Sequence, residues 1–294
     1  MHNLFKQAAS LQHNMTSAMK DDAISYGIDL EQQRLELATS PEIGIKTGKS
    51  GPHAGRTIMV EELRVLLDSA PMGTSKPEYR SLITESNVLA KRTLSARKNT
   101  YQRLTQLYSL DETVLIFRIL RVLCEMNPES LPLIALLCAL ARDPILRSSC
   151  MPILLTKSGD ELSKQAVLDA ILSFVGDNLN DTVIQSVLRN VSSSWTQSGH
   201  LIGRSRKIRQ LVKPTPYVVT YALLLGYILG GRGHNLYKTL WAKVLDSNES
   251  QLIELSQDAK RLGLIDMNYA GGVIEISPIR LLTEDERRLI HGTN

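Results

Sequence analysis

The densest group of side chains able to bind a polyanion lies between residues 201 and 213. Its sequence, LIGRSRKIRQLVK, holds five cations: Arg204, Arg206, Lys207, Arg209 and Lys213. Serines and a threonine precede it, next to Trp195, and cationic and hydroxyl side chains are the usual ligands of nucleic-acid phosphates. Arg232 follows Gly230 and Gly231, where the backbone could approach a phosphate closely; a helix end with its turn is the alternative. We predict that these six cations contact phosphates.

A second basic cluster lies on a predicted helical stretch and consists of Lys91, Arg92, Arg97, Lys98 and Arg103. Both clusters fall in parts of the chain without acids. Residues 86–110 hold five basic and no acidic side chains, and residues 182–245 hold nine and none. Clustered cations without compensating acids predict a polyanion partner, usually nucleic acid. The alternative is a solvated face whose acids come from elsewhere in the fold.

The strongest candidate for a nucleotide-binding motif lacks one of its required glycines. Residues 44–50, GIKTGKS, resemble a phosphate-binding loop, but the pattern G-x-x-x-x-G-K-[ST] requires glycine where Ile43 stands. A Gly-Pro pair then follows where a helix should begin. We predict a mobile basic loop carrying Lys46, Lys49 and Arg56 instead.

No other group of residues indicates catalysis. The six histidines are dispersed, and none is spaced as a helical metal-binding pair. Asp258-Ala259-Lys260 has the D-x-K form of a nuclease core, but it falls on a predicted helix and lacks a nearby partner carboxylate. The sequence therefore predicts a protein that is not an enzyme, with no catalytic residues, cofactor or metal site.

The elements that would position these residues are mostly helices. Residues 1–80 are predicted to form an N-terminal extension that is partly irregular, with four glycines and two prolines at 41–57. Residues 81–200 read as a helical domain. Apolar periodicity and capping residues predict helices at Ile58–Asp68, Asp111–Met126, Leu131–Arg142, Leu162–Val175 and Thr182–Val191.

Residues 201–294 are predicted to be a winged-helix-like domain that begins with the basic segment. Helices are predicted at Pro216–Gly230, Leu236–Leu245 and Glu249–Leu262, and strands at Leu264–Asn268 and Val273–Ser277. Three helices followed by a hairpin is the order of a winged helix, which presents its third helix to a DNA groove. That third helix holds more acids than cations here. Reading DNA and packing against protein therefore remain alternatives for this module.

The composition of the chain predicts a cytoplasmic protein. Three scattered cysteines form neither a disulfide framework nor a zinc motif, and residues 1–20 lack the apolar region of a secretory signal. The uncharged run 214–231 has 18 residues, with Pro, Thr and Gly at its ends. A spanning helix needs about 20 apolar residues, so we predict a buried core helix and no membrane insertion.

One stretch resembles a known family. Residues 85–93, ESNVLAKRT, with Arg97, Arg103-Leu104 and Leu107-Tyr108 after them, resemble the opening of the BrxA family of bacterial BREX phage-defence systems. The apolar helices that end in ARDP at 141–144 and the stretch SWTQSGHL at 194–201 continue the likeness. The strongest match covers residues 85–145. The functional roles that the resemblance implies are transferred most directly to six residues: Asn87, Lys91, Arg92, Thr93, Arg97 and Arg103.

The resemblance implies an all-helical, NusB-like core, a winged-helix-like part and double-stranded DNA binding without catalysis. It also implies a role in phage exclusion beside methyltransferase and ATPase partners. We therefore expect a mainly helical accessory protein that binds duplex DNA chiefly through phosphates. The alternatives are a scaffold that docks an acidic protein partner and an RNA-binding, NusB-like factor.

Overall fold

Most of the chain is helical, and its few strands form two small antiparallel sheets. The computed structural model describes residues 40–48, 51–176, 180–270 and 273–291. The α-helices are α1 (Val60–Ser69), α2 (Lys76–Thr84), α3 (Leu94–Tyr108), α4 (Leu115–Met126), α5 (Leu131–Arg142), α6 (Pro144–Ser148), α7 (Cys150–Leu155), α8 (Lys164–Val175), α9 (Asp181–Gln197), α10 (Pro216–Ile228), α11 (Leu240–Lys243), α12 (Glu249–Arg261) and α13 (Glu284–His291). The strands are β1 (Leu201–Ile202) paired with β2 (Ile208–Arg209), and β3 (Asp266–Ala270) paired with β4 (Val273–Ser277). The predicted mainly helical fold with a C-terminal hairpin is confirmed.

Two apolar helices lie at the centre of the fold. Every α5 residue from Leu133 to Arg142 is buried, because α1, α3, α4, α6, α9 and α10 all pack around it. Helix α10 is buried from Val218 to Ile228 and contacts α4, α5, α11 and α12. The uncharged run 214–231 is thus a core helix, as predicted. None of the helices in the described ranges combines the length and apolarity that crossing a membrane requires.

Parts of the region predicted as an N-terminal extension belong to the core. The side chains of Ile43 and Ile58 are fully buried, and the backbone N–H of Lys46 donates to the Ala141 carbonyl at 2.9 Å. Arg142, also buried, donates from Nη1 to the carbonyl of Gly44 at 2.7 Å. Residues 43–46 are therefore packed on α5 and do not project as the mobile loop we expected. Lys49, assigned to that loop, lies outside the described residues.

The C-terminal elements follow the predicted order, with one difference. Asn248 caps α12 and shares a capping box with Gln251. The single helix predicted at Leu236–Leu245 is instead a 3-10 helix, Gly233–Lys238, followed by α11. The break falls at Thr239, whose extended backbone and side-chain oxygen, which accepts from Ala242 N–H, begin a new helix.

No structural finding separates residues 81–200 from 201–294 as two domains, so that boundary stays a prediction. Helix α10 lies beyond the boundary, yet its Tyr221 hydroxyl donates to the Ile116 carbonyl in α4 at 2.8 Å. One continuous hydrophobic core contains buried residues from both sides.

Candidate nucleic-acid interface

Residues 144–209 have the element order of a winged helix. Helices α6 and α7 pack against α8, which packs against α9, and the β1–β2 hairpin follows directly. Residues 159–162 pair with β2 through an isolated antiparallel bridge between Glu161 and Ile208: Leu162 N–H donates to the Lys207 carbonyl at 2.7 Å, and Arg209 N–H to the Asp160 carbonyl at 2.9 Å. The bridged segment 159–162 thus lies on the far side of β2 from β1, with α9 as the third helix and residues 203–207 as the wing.

Sequence reasoning missed this module and placed a winged helix only in the C-terminal part. Its two strands are only two residues long, too short for an alternating pattern to show. Two signals were nevertheless present: a predicted helix at Thr182–Val191 and the glycine in Ile202-Gly203-Arg204. Gly203 has φ +95°, and a Cβ there would lie 2.1 Å from the Arg206 carbonyl oxygen, so this turn requires glycine.

One face of α9 is polar and accessible along the whole helix. At about 100° per residue, its positions fall on one side of the helix axis, and Arg189 lies at the centre. The face consists of Thr182, Gln185, Ser186, Arg189, Ser193 and Thr196, all exposed or partly exposed. Its only cation is Arg189, and the nearest acid on the helix is Asp181, the first helical residue.

The opposite face of α9 is fixed to the core. Trp195 is fully buried, and its Nε1–H donates to Ser149 Oγ at 2.8 Å. Its ring also makes an edge-to-face contact with His200, with centroids 4.8 Å apart. Trp195 therefore holds α9 in place and is not available to stack on a base.

Ser194, on the buried face, belongs to an arrangement that resembles a hydrolytic triad. His53 Nδ1 lies 2.6 Å from Asp143 Oδ2, and His53 Nε2 lies 2.7 Å from Ser194 Oγ. All three side chains have no exposed surface. Ser194 Oγ also accepts from Ile58 N–H at 3.0 Å and lies 2.7 Å from the Asn190 carbonyl oxygen. A nucleophile must reach its substrate, whereas these side chains are enclosed, and their hydrogen bonds hold α9 in position.

Asp143 is the anionic end of this network. Burial alone would raise its pKa, but the hydrogen bond and charge interaction with His53, together with backbone N–H donors from Leu146 and His53, hold the pKa below its usual value. Asp143 also caps α6, with Ile145 N–H donating to Oδ1 at 2.9 Å. One carboxylate thus links the first helix of the winged helix to the helix that presents the polar face.

The wing carries most of the exposed positive charge next to α9. Arg204 and Arg206 are exposed, and Arg206 pairs with the exposed Glu161 at 2.8 Å, an arrangement that contributes little to stability. Lys207 Nζ donates to Thr196 Oγ1 at 2.9 Å and to the Gly203 carbonyl at 2.7 Å, which fastens the wing to α9. Partial burial lowers the pKa of Lys207.

The remaining cations predicted in this half of the chain differ in accessibility. Lys213 is exposed. Arg209 has only 1% of its surface exposed; it pairs with Asp246 and donates from Nε to the Ile153 carbonyl at 2.9 Å. Arg232 lies over the Tyr227 ring at 3.8 Å and donates to the carbonyls of Tyr227 and Gly231. The Arg209 side chain is thus buried and paired within the protein, and it is not part of the candidate interface.

The second basic cluster, Lys91 to Arg103, is used largely within the protein. Lys91 pairs with Glu62 at 3.1 Å, and Arg97 donates to the carbonyls of Lys91 and Thr84. Both are positions that the resemblance carried over. Arg92 and Lys98, in contrast, are exposed.

Only the end of this cluster approaches α9. The Arg103 guanidinium lies about 3 Å from where a Cβ of Gly55 would be, and Asn190 of α9 donates to the His53 carbonyl at 2.9 Å. Arg103 and α9 therefore contact the same short segment. Lys98 lies five residues earlier, on another side of α3, so the structure brings the two clusters together only in part.

Helix α12 occupies the position of the third helix in a second, C-terminal winged helix. Its surface differs from that of α9 in charge. Its accessible positions include Glu249 and Glu254, with Asp258 partly exposed, against Lys260 and Arg261. Opposing charges lie close on it, as in the Asp258–Arg261 pair. A phosphate backbone would be repelled by this acidic helix, so α9 is the better candidate.

No family model matches the chain, and no curated protein is similar to it. The resemblance to the BrxA family therefore stays a prediction. Within the described ranges, no three His, Cys, Asp or Glu side chains are grouped to hold a metal ion.

Proposed function

We propose that this protein binds duplex DNA with α9 in the major groove and the wing, residues 203–207, against the sugar–phosphate backbone. The single observation behind this proposal is an accessible helix face without acids, held beside a basic wing in a winged-helix arrangement. The major groove of B-DNA, about 12 Å wide, admits one α-helix. Hydroxyl, amide and guanidinium groups on that helix are donors and acceptors for base edges and phosphates.

The two parts of the interface would act differently. Arg204 and Arg206 on the wing, with Lys213 after it, would supply the charge that releases counterions from DNA. Helix α9 would supply directional hydrogen bonds. Thr196 and Lys207 join the two parts, since their side chains are hydrogen-bonded.

The cellular role we propose is that of a non-catalytic accessory protein in a phage-defence complex. It follows from the likeness of residues 85–145 to the BrxA family. Partners such as a methyltransferase and an ATPase belong to the same proposal.

The decisive experiment compares two double charge reversals that change the net charge equally. Arg204→Glu with Arg206→Glu alters the wing, and Lys260→Glu with Arg261→Glu alters α12. Affinity for a random-sequence duplex is measured across a salt series, with single-stranded DNA and RNA alongside. We expect the wing variant to lose about tenfold or more in duplex affinity and to flatten the log–log salt slope by about 1.8, for two lost phosphate contacts. The α12 variant should change affinity less than about twofold.

Three outcomes would contradict the proposal. Equal losses in both variants would mean that net charge, and not the wing, governs binding. Tighter binding to RNA than to duplex DNA would favour the RNA-binding alternative. No binding to any of the three would favour a scaffold for an acidic protein.

A further inference from the structure

We infer that α9 reads DNA sequence and that Arg189 is the residue that recognises guanine. This inference rests on the proposed duplex binding and goes further, since it assigns base-specific recognition to one side chain. Arg189 is exposed at the centre of the polar face of α9. Its Nη2 donates to Ser186 Oγ at 3.0 Å, one turn earlier on the same helix.

The composition of this face favours reading bases over merely holding phosphates. A face that bound phosphates alone would carry several cations, because each neutralised phosphate needs one. The face of α9 carries one guanidinium, one amide and four hydroxyls, and the other cations lie on the wing. Arginine pairs in bidentate fashion with O6 and N7 of guanine, which is the commonest base-specific contact in the major groove.

Gln185 extends the same reading surface. It is exposed four residues before Arg189, about 6 Å along the helix axis. Base pairs are stacked about 3.4 Å apart, so the two side chains would meet bases about two steps apart. Glutamine pairs with N6 and N7 of adenine. We therefore expect a short recognised motif in which a guanine and an adenine lie within about two base pairs.

A reading helix must be held rigidly, and α9 is anchored at several points on its opposite face. Ser194 is bonded within the His53–Asp143 network, and Trp195 is bonded to Ser149. Gln197 Oε1 accepts from Val60 N–H at 3.0 Å. These contacts fix both the rotation and the position of the helix, which directional base contacts require.

The experiment is a selection from a randomised duplex library with the full chain and two variants. Arg189→Ala removes the side chain, and Arg189→Lys keeps the charge but loses the planar, bidentate donor pair. We expect the unaltered protein to enrich a motif that contains a guanine. Both variants should lose about tenfold or more of the preference at that guanine. Arg189→Lys should bind a random-sequence duplex within about twofold of the unaltered protein, because phosphate contacts are sequence-independent.

The outcomes separate this inference from the proposed function. If the unaltered protein binds duplex DNA but enriches no sequence, or if Arg189→Lys keeps the full guanine preference, the inference is wrong and duplex binding stands. If the unaltered protein binds no duplex at all, the proposed function fails as well. Because Arg189 is exposed, we expect both variants to unfold at the same denaturant concentration as the parent, which shows that any change arises at the surface.

Discussion

At the scale of single residues, cations of the same type serve opposite purposes a few positions apart. Arg204 and Arg206 lie in the exposed wing, whereas Arg209 points into the interior from β2 and pairs with Asp246. The sequence grouped all three as phosphate ligands because a basic run does not show which side of a hairpin each residue occupies. Alternation along β2 decides this: Ile208 is partly exposed, so Arg209 faces inward.

We predict that Arg209→Ala destabilises the protein by about 3–5 kcal/mol, because Asp246 would be left as an unpaired buried charge. Arg204→Ala, in the exposed wing, should cost less than about 0.5 kcal/mol. Denaturant unfolding measures both changes. A small cost for Arg209→Ala would show that Asp246 finds another partner or water.

His200 should make stability depend on pH. Burial lowers its pKa to about 4, against an attraction from Asp246 and a hydrogen bond to the Val244 carbonyl. An unfolded histidine has a pKa of about 6.5, so between about pH 6.5 and 4 the unfolded chain takes up a proton that the folded protein refuses. The free energy of unfolding therefore falls as the pH falls through this range, by about 3 kcal/mol at most.

The measurement is urea unfolding of the parent protein and of His200→Gln at pH 7 and pH 5. We expect the variant to lose about 2 kcal/mol less than the parent between these two pH values, since only the parent retains this linkage. Other titrating groups contribute equally to both proteins. Identical losses would mean that His200 takes up its proton over the same pH range in the folded protein as in the unfolded chain.

At the scale of elements, the two faces of α9 have different roles: one anchors the helix to the core, and the other faces outward. Ser194 and Trp195 hold it to α6 and to the segment before α1, while Gln185 and Arg189 face outward. Its first residue, Asp181, is exposed and acidic. An acid in the first turn stabilises a helix, but here it lies at the N-terminal end of the helix that we propose enters DNA.

We predict that Asp181→Asn raises duplex affinity about threefold at low salt and less at high salt, because a repulsion toward phosphates is removed. The helix should lose about 0.3–1 kcal/mol of stability, since asparagine does not complement the helix dipole. The matched control is Asp285→Asn, in the first turn of α13, which should leave affinity unchanged. An equal gain in both variants would point to net charge alone.

At the scale of the whole molecule, one hydrophobic core joins the parts that the sequence divided. Helix α10 lies after the predicted boundary at residue 200, but its apolar side chains pack against α4 and α5. Arg118 in α4 further bonds to Glu286 in α13, with Nε donating to Oε1 at 2.8 Å. The apolar surfaces of α4 and α5 are therefore buried in part by elements from the last third of the chain.

We predict that a chain ending at residue 212 does not fold cooperatively. Without α10, the apolar surfaces of α4 and α5 would face water, a loss of about 25 cal/mol per Å² exposed. Thermal unfolding followed by near-ultraviolet circular dichroism should show no cooperative transition for this chain and a clear one for the full chain. A sharp transition in the shortened chain would instead support two independent domains.

By itself, the sequence determined the helical character, the position of the core helices and the C-terminal hairpin. Leu131–Arg142 was predicted with its observed bounds, and Pro216–Gly230 to within two residues. These features are local, because apolar periodicity, caps and turn residues act over a few neighbouring positions. The acid-free stretch 182–245 was also visible, and it contains the polar face of α9 and the wing of the candidate interface.

Tertiary structure alone decided which residues of that stretch could meet a partner. The winged helix at residues 144–209 depends on residues 159–162 pairing with β2, in a bridge that joins Glu161 to Ile208 across 46 intervening residues. Contacts between distant residues likewise direct Arg209 into the interior and bury Trp195. They also bring together His53, Asp143 and Ser194. Such contacts follow from how helices pack around a shared core, and no pattern within a short window carries that information.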